Sequence, residues 1–307
     1  MASLVAEPTT AARQHRLHVL AAFFAIYIVW GSTYLAIRVV VHELPPLFAA
    51  GSRFLIAGAI LYVFMRASGA VRPSRAEWRG LVLLGALMFL APYSALFWAE
   101  RSLPSGIAAV LVATVPVWTA LLQMFVFRRE PVSGSLLAMI AIGLAGVSIL
   151  TFDATRGQPN VLACLVVLAS EISWALGTIL TTQLTLPKSK SLSAGAQMLI
   201  GGVMLLLGAV AIGEVPPWPH VSTTALAALA YLIVAGSLIA FTAYEWLLTQ
   251  LPTTTVTSYA YVNPVVAMAI GFSIGGETVT GRSLIGSAIV IASTMLLLLR
   301  TPSRPKA

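Results

Sequence analysis

LHVLAAFFAIYIVWGSTYLAI, Leu17–Ile37, carries no formal charge from end to end. A helix of that length rises about 30 Å, the thickness of a bilayer's hydrocarbon core. The run exceeds the roughly 7–15 residues of a signal-peptide core. The residues before it are polar and include Arg13 and Arg16. The stretch therefore reads as a first membrane span behind a short tail, residues 1–16. A second charge-free run, Leu284–Leu299, closes the chain.

The composition between these runs is of the same kind. Hydrophobic residues make up 59% of the 307 and charged residues 9%, against about 25% charged in a soluble domain. Mean hydropathy is +0.93. Ten apolar segments are expected as helices: 18–40, 47–65, 80–99, 105–127, 133–152, 161–184, 194–213, 224–248, 254–275 and 281–299. The fold class is all-α integral membrane with ten transmembrane helices. Short connections carry turn residues such as Pro45-Pro46, Pro187 and Val215-Pro216-Pro217-Trp218-Pro219.

The net charge of +8 is distributed unevenly. With a cytoplasmic N-terminus, inside segments hold 13 of the 18 Lys and Arg: Arg13, Arg16, Arg66, Arg72, Arg75, Arg79, Arg128, Arg129, Lys188, Lys190, Arg300, Arg304 and Lys306. Outside loops hold Arg101, Arg156 and Arg282. The positive-inside rule then places both termini in the cytoplasm and favours an even number of spans. Trp78 and Trp218 stand beside helix ends, where interfacial anchors belong. The basic residues form no stripe, so nucleic acid is not a partner. Cys164 has no second cysteine, and no histidine lies deep in a span, so no disulfide, metal or cofactor is expected.

The two halves repeat. Arg53-Phe-Leu-Ile-Ala-Gly58 aligns with Gln197-Met-Leu-Ile-Gly-Gly202, and Trp30 with Trp174, at an offset of 144. Trp98 aligns with Trp246, Leu103-Pro104 with Leu251-Pro252, and Pro116 with Pro264 at 148; Glu130 and Gly134 align with Glu277 and Gly281 at 147. Each half holds five helices. Five is odd, so the second half enters the membrane from the opposite side, as in transporters with inverted repeats and a midplane binding site. The expected organisation is a tail at 1–16, repeats at 17–152 and 153–299, and a tail at 300–307.

Trp30-Gly-Ser-Thr-Tyr-Leu-Ala-Ile-Arg38, Arg53–Gly58, Pro104-Ser-Gly-Ile-Ala-Ala-Val-Leu111, Tyr261-Val-Asn-Pro-Val-Val-Ala267 and Gly276-Glu277 together resemble the EamA-type drug/metabolite transporter superfamily. The resemblance runs through nearly the whole chain, in order. It implies ten helices in a basket-like bundle, cytoplasmic termini and a bacterial inner-membrane location. Members export amino acids, among them aromatic ones and threonine or homoserine, as well as nucleobases, other metabolites and toxic compounds; some import. Helices 1, 3, 4, 6, 8 and 9 usually line the cavity.

Several residues are candidates for contact with a small-molecule solute. Trp30, Thr33, Tyr34 and Ile37 share one face of helix 1; Glu171, Trp174 and Thr178 share one of helix 6. Tyr93, Phe97 and Glu100 share a face of helix 3, and the repeat maps Tyr93 onto Phe241 and Phe97 onto Glu245. Tyr259 and Asn263 stand four apart in helix 9. Together these predict an aromatic cavity with few charges, suited to uncharged or zwitterionic solutes. Packing aromatics would give the same spacing at any one position.

Glu171, Glu245 and Glu100 are acids in or near spans, where ionisable groups are costly and often functional. Glu171 and Glu245 are read as proton-coupling candidates or as paired structural groups, and Glu100 also as a solvated helix end. Arg38 either snorkels to headgroups or holds a carboxylate at the cavity mouth. Arg53 is read as snorkelling or ion-paired in preference to touching solute. Pro116 and Pro264 are expected mid-helix, each leaving a carbonyl (Val112, Ala260) without its partner; both are candidate hinges.

Other classes fit less well. No soluble domain, nucleotide-binding GxxxxGK[ST] or GxSxG pattern is present, and no membrane-embedded His/Asp/Glu cluster suggests an enzyme. A channel would call for rings of charge or filter loops. The expectation is export of amino acids, aromatic or otherwise neutral, by a monomer through alternating access; drug efflux or metabolite uptake on the same fold is the alternative.

Overall fold

The computed structural model describes residues 10–129, 134–151, 161–216, 220–251, 253–256 and 258–299. Glu130, Arg156, Trp218, Pro252, Arg300, Arg304, Lys306 and the tail 300–307 lie outside the described residues. Ten helical segments follow in order: α1 (10–41), α2 (Pro46–Ala67), α3 (Arg75–Ala99), α4 (Ser105–Val126), α5 (Gly134–Thr151), α6 (Val161–Thr181), α7 (Lys190–Ala211), α8 (223–250), α9 (Tyr259–Ser273) and α10 (Gly281–Leu299). Seven are long and apolar enough to cross a membrane; 134–150, 259–273 and 281–296 are apolar but shorter among the described residues.

Starts differ from expectation where local capping extends a helix. Among the described residues the first helix already includes Arg13 and Arg16, which the sequence placed in a tail. α3 begins at Arg75 because Ser74 accepts from the Glu77 N–H while the Glu77 carboxylate accepts from the Ser74 N–H. α7 begins at Lys190, with Ser189 accepting from Leu192 N–H. It ends at Gly213, whose φ of +74° only glycine adopts readily.

Two seams hold the bundle. Apolar burial drives helix association weakly in lipid, so close approach through small residues carries it. At the α2–α7 seam a Cβ on Gly58 would lie 2.3 Å from Leu199 N, and one on Gly202 2.3 Å from Leu55 N. A Cβ on Gly51 would lie 2.9 Å from Leu206 N, and one on Gly195 2.8 Å from Tyr62 N. These pairs are reciprocal under the offset of 144 read from the sequence. The α5–α10 seam is similar: a Cβ on Gly146 or on Gly286 would lie 3.0 Å from the other's carbonyl oxygen, and Ser293 Oγ donates to Met139 O at 2.6 Å.

Four helices carry π-helical stretches: 25–29 in α1, 86–90 in α3, 122–126 in α4 and 232–239 in α8. Such stretches free backbone carbonyls and recur at functional sites. Those of α3 and α8 occupy repeat-equivalent positions. Ser173 of α6 donates to Leu87 O in the first at 2.8 Å, and Trp30 Nε1 of α1 donates to Gly236 O in the second at 2.8 Å.

The two prolines expected mid-helix are not alike. α4 is broken before Pro116: Thr114 takes φ −77°, ψ −6°, and a new helical segment starts at Val115. The break puts Pro116 in a first turn, where no N–H is needed. Ala113 O is served by Thr294 Oγ1 of α10 at 3.1 Å. Pro264 does lie inside the continuous α9.

Candidate functional site

One end of the bundle gathers the connections 42–45, 100–104 and 274–280 and the described residues 212–216 and 220–222. Three carboxylates there close on helix N-termini of the other half. Glu43 accepts from Ser222 N–H and Ser222 Oγ, both at 2.6 Å, at the start of α8. Glu214 accepts from Phe48 N–H at 2.9 Å at the start of α2. Glu277 accepts from Ser105 N–H at 2.9 Å and Ser105 Oγ at 3.0 Å at the start of α4. Helix N-termini present unsatisfied N–H groups and a positive dipole end, so each carboxylate is well placed. The bonds from the Ser222 hydroxyl and N–H hold the Glu43 carboxyl below the usual range.

Arg38 belongs to this end. Its Nη1 donates to Leu103 O at 2.7 Å and its Nε pairs with Glu277 at 3.4 Å. Of its two expected roles it takes the second, but the carboxylate it holds is the protein's own. Glu100 is fully buried, and neither carboxyl oxygen has a hydrogen-bond partner among the described residues. The solvated helix-end reading is thereby overturned. The connection 101–104 folds back, burying Leu103 completely and sealing Glu100 beneath it.

Deeper in, rings form a continuous network. Trp30 lies 6.1 Å from Phe241, 5.4 Å from Tyr244 and 5.1 Å from Tyr259 between centroids. Phe241 meets Phe89 at 6.1 Å. Tyr93 meets Phe89 at 6.0 Å, Phe97 at 6.4 Å, Trp174 at 6.1 Å and Phe54 at 4.3 Å. The structure thus brings together Trp30, Tyr93, Phe97, Trp174, Phe241 and Tyr259. Tyr34, also buried, is within electrostatic reach of Arg53, Tyr93, Glu100 and Glu171.

The polar candidates are turned elsewhere. Thr33 Oγ1 donates to Trp30 O and Thr178 Oγ1 to Trp174 O, each in its own helix. Asn263, with its amide nitrogen toward α1, donates to Ile26 O at 3.0 Å and Tyr27 O at 3.1 Å, carbonyls at the α1 π stretch. Glu245 is half-buried near the far end of α8, within reach of Lys190 and apart from Glu171.

Phe54, Phe89 and Tyr244 join the network without having been singled out. Phe89 stands four residues before Tyr93 on the same helix face, a spacing that could have found it. Arg53 is the larger surprise. It is 2% exposed, so it does not snorkel, and it pairs with no carboxylate among the described residues. Its Nε donates to Ser237 Oγ at 2.9 Å in the α8 π stretch, and its guanidinium lies 4.7 Å from the Phe54 ring and 5.6 Å from Tyr93. Gly236 makes room for it: a Cβ there would stand 3.0 Å from Arg53 Nη2.

Comparison with known proteins agrees with this architecture. The chain is 37% identical to the uncharacterized inner membrane transporter YedA of Escherichia coli K12, over 92% of this chain and 91% of that one. It is 27% identical to a probable amino-acid metabolite efflux pump of the same strain, over 87% and 90%. A crystal structure 19% identical superposes with a TM-score of 0.62 over 91% of this chain and 95% of its own, a likeness of fold alone. The model of the EamA-like transporter family matches residues 17–152 and again 161–299. A ten-helix membrane bundle matched by that model along nearly its whole length belongs to the EamA-like transporter family.

Proposed function

We propose that the chain is a secondary transporter of the bacterial inner membrane that exports amino acids, aromatic or otherwise neutral, by alternating access. The observation that carries this reading is the ring network linking α1, α2, α3, α6, α8 and α9 around buried charges. Flat rings grip apolar and π-bearing side chains, while a few charges orient the solute's polar end. The efflux-pump relative supports the substrate class and the YedA relative the membrane.

In this reading the repeats, 17–152 and 153–299, are inverted five-helix halves in a basket-like bundle, and a single copy suffices. The reciprocal glycine contacts between α2 and α7 support a two-fold relation between the halves. Both termini face the cytoplasm, so the carboxylate-capped end faces outward and is closed. Solute loads from the cytoplasm onto Trp30, Thr33, Tyr34, Tyr93, Phe97, Trp174, Thr178, Phe241, Tyr259 and Asn263. Glu171 and Glu245 carry protons if transport is coupled, and Pro116 and Pro264 serve as hinges.

Purified protein in liposomes, offered labelled amino acids with and without a pH gradient, tests this. Saturable flux with competition by tryptophan or phenylalanine is expected. Absence of flux for every amino acid would move the substrate to drugs or other metabolites. In the same assay, unchanged turnover after replacing both prolines by alanine would reject the hinges. Glu171→Gln with full rate and unchanged pH dependence would remove Glu171 as a proton carrier.

A further inference from the structure

The charges at the centre of the bundle are not required by its packing. Arg53 and Gln197 occupy equivalent positions in the two halves, on the two helices of the α2–α7 seam. Gln197 fills its place as a neutral group, with Nε2 donating to Ser193 Oγ at 3.0 Å. The seam therefore tolerates a neutral residue at this position, and the positive charge of Arg53 answers some other need.

Arg53 also retains binding capacity. Ser237 takes Nε, and Nη1 has no partner among the described residues although Arg53 is 2% exposed. A guanidinium offers paired donors that match a carboxylate. Arg38 shows the contrast, with its guanidinium already engaged by Glu277 and Leu103 O.

An opposite charge lies across the tyrosines. Glu171 is 2% exposed, and among the described residues it has neither a hydrogen bond nor an ion pair. It stands one helical turn before Trp174 on α6, and the Trp174 ring packs on Tyr93 at 6.1 Å. Tyr93 in turn lies under the Arg53 guanidinium. Arg53 and Glu171 thus flank Tyr93 without meeting each other. Glu100 is the other buried acid within reach of Arg53, but it also faces Glu277 and Arg38 at the capped end.

Resting on the amino-acid reading above, we infer that Arg53 and Glu171 form a two-ended site for a zwitterion. Arg53 takes the α-carboxylate through its free donor, Glu171 takes the α-ammonium, and the ring network takes the side chain. A buried unpaired charge is costly unless a partner arrives. A zwitterion supplies both partners at once and adds no net charge. An amine without a carboxylate, or an acid without an amine, leaves one end unmet.

Three indole compounds separate the ends: tryptophan, tryptamine, which lacks the carboxylate, and indole-3-propionate, which lacks the ammonium. In liposomes, Arg53→Gln is expected to lose about tenfold or more of tryptophan and indole-3-propionate flux while tryptamine flux holds within about twofold. Glu171→Gln is expected to lose tryptophan and tryptamine flux and to keep indole-3-propionate. Equal loss of all three compounds in Arg53→Gln, or none, overturns the site while wild-type tryptophan flux leaves the amino-acid reading standing. Wild-type transport of indole-3-propionate but not tryptophan, lost in Arg53→Gln, would sink the amino-acid reading and keep Arg53 as a carboxylate anchor. Should the variants not fold, thermal stabilisation of the wild type decides. Tryptophan must bind about tenfold more tightly than either analogue, and equal binding by the three overturns the site.

Discussion

Glu100 apart, the charges of the capped end are met by partners and, among the described residues, those of the centre are not. At the capped end Glu43, Glu214 and Glu277 each accept from the backbone N–H of a helix start in the other half, and Arg38 is engaged with Glu277 and Leu103 O. At the centre Arg53 keeps an unused donor and Glu171 has no partner among the described residues. A satisfied charge in a membrane protein fastens elements together, whereas an unsatisfied one costs stability and persists where something must bind. The capped end is therefore built to hold the halves together, and the centre to receive a solute.

The strongest way to break that contrast is to remove a central charge. Glu171→Leu is expected to lower amino-acid flux by about 100-fold or more, the scale of deleting one partner of a buried charged contact. The same change should raise the unfolding temperature by roughly 2–6 °C, because a buried carboxyl without a partner among the described residues gives way to an apolar group. A fall in unfolding temperature would show that Glu171 supports the fold and would erase the distinction between the two regions.

The opposite manipulation loosens the capped end. Glu277→Ala removes the acceptor for Ser105 N–H and Oγ and the counter-ion of Arg38. A loss of about 1–3 kcal/mol in unfolding free energy is expected. In a Cys164→Ala background, Leu103→Cys is buried in the closed bundle. Its labelling by a membrane-impermeant maleimide should rise severalfold when Glu277→Ala is added. Unchanged labelling would mean that the carboxylate caps do not keep this end shut.

Much of this molecule was legible in the sequence, because its strongest signals are periodic or positional. Long apolar runs marked ten helices, seven of them long enough to span a membrane among the described residues, and the offset of 144 relates the contact of Gly58 with Leu199 to that of Gly202 with Leu55. Trp30, Tyr93 and Trp174 were found because aromatic residues at helical spacing share a face. The caps were hidden because they join residues far apart in sequence: nothing local to Glu43 points to Ser222, or to Glu214 and Phe48. Arg53 was misread for a related reason. Its place near the start of a span suggests snorkelling, and only the α8 π stretch, with Ser237 and Gly236 against its guanidinium, makes a buried seat for it.

The smallest expected effect concerns pH, and it compares the two regions from the side of the fastened end. Glu43 lies between α1 and α2, outside the spans, and its carboxyl is held below the ordinary 4.5 by the Ser222 hydroxyl and N–H. A carboxylate whose folded value is depressed contributes stability that is present above its unfolded value. That stability is lost as pH falls through the folded one. The contribution is thus complete at neutral pH and disappears only below about 4.5. Because Glu43 is partly exposed, solvent screening keeps the effect small, about a degree of unfolding temperature. Unfolding scans from pH 7 to pH 3.5 on wild type and Glu43→Gln measure it as a difference between the two curves. The wild type should start slightly higher, and the curves should converge at the acidic end, where protonated Glu43 and the amide become equivalent acceptors. A gap that stayed constant across the range would assign the contact to shape alone, and a gap that widened on acidification would contradict the depressed carboxyl.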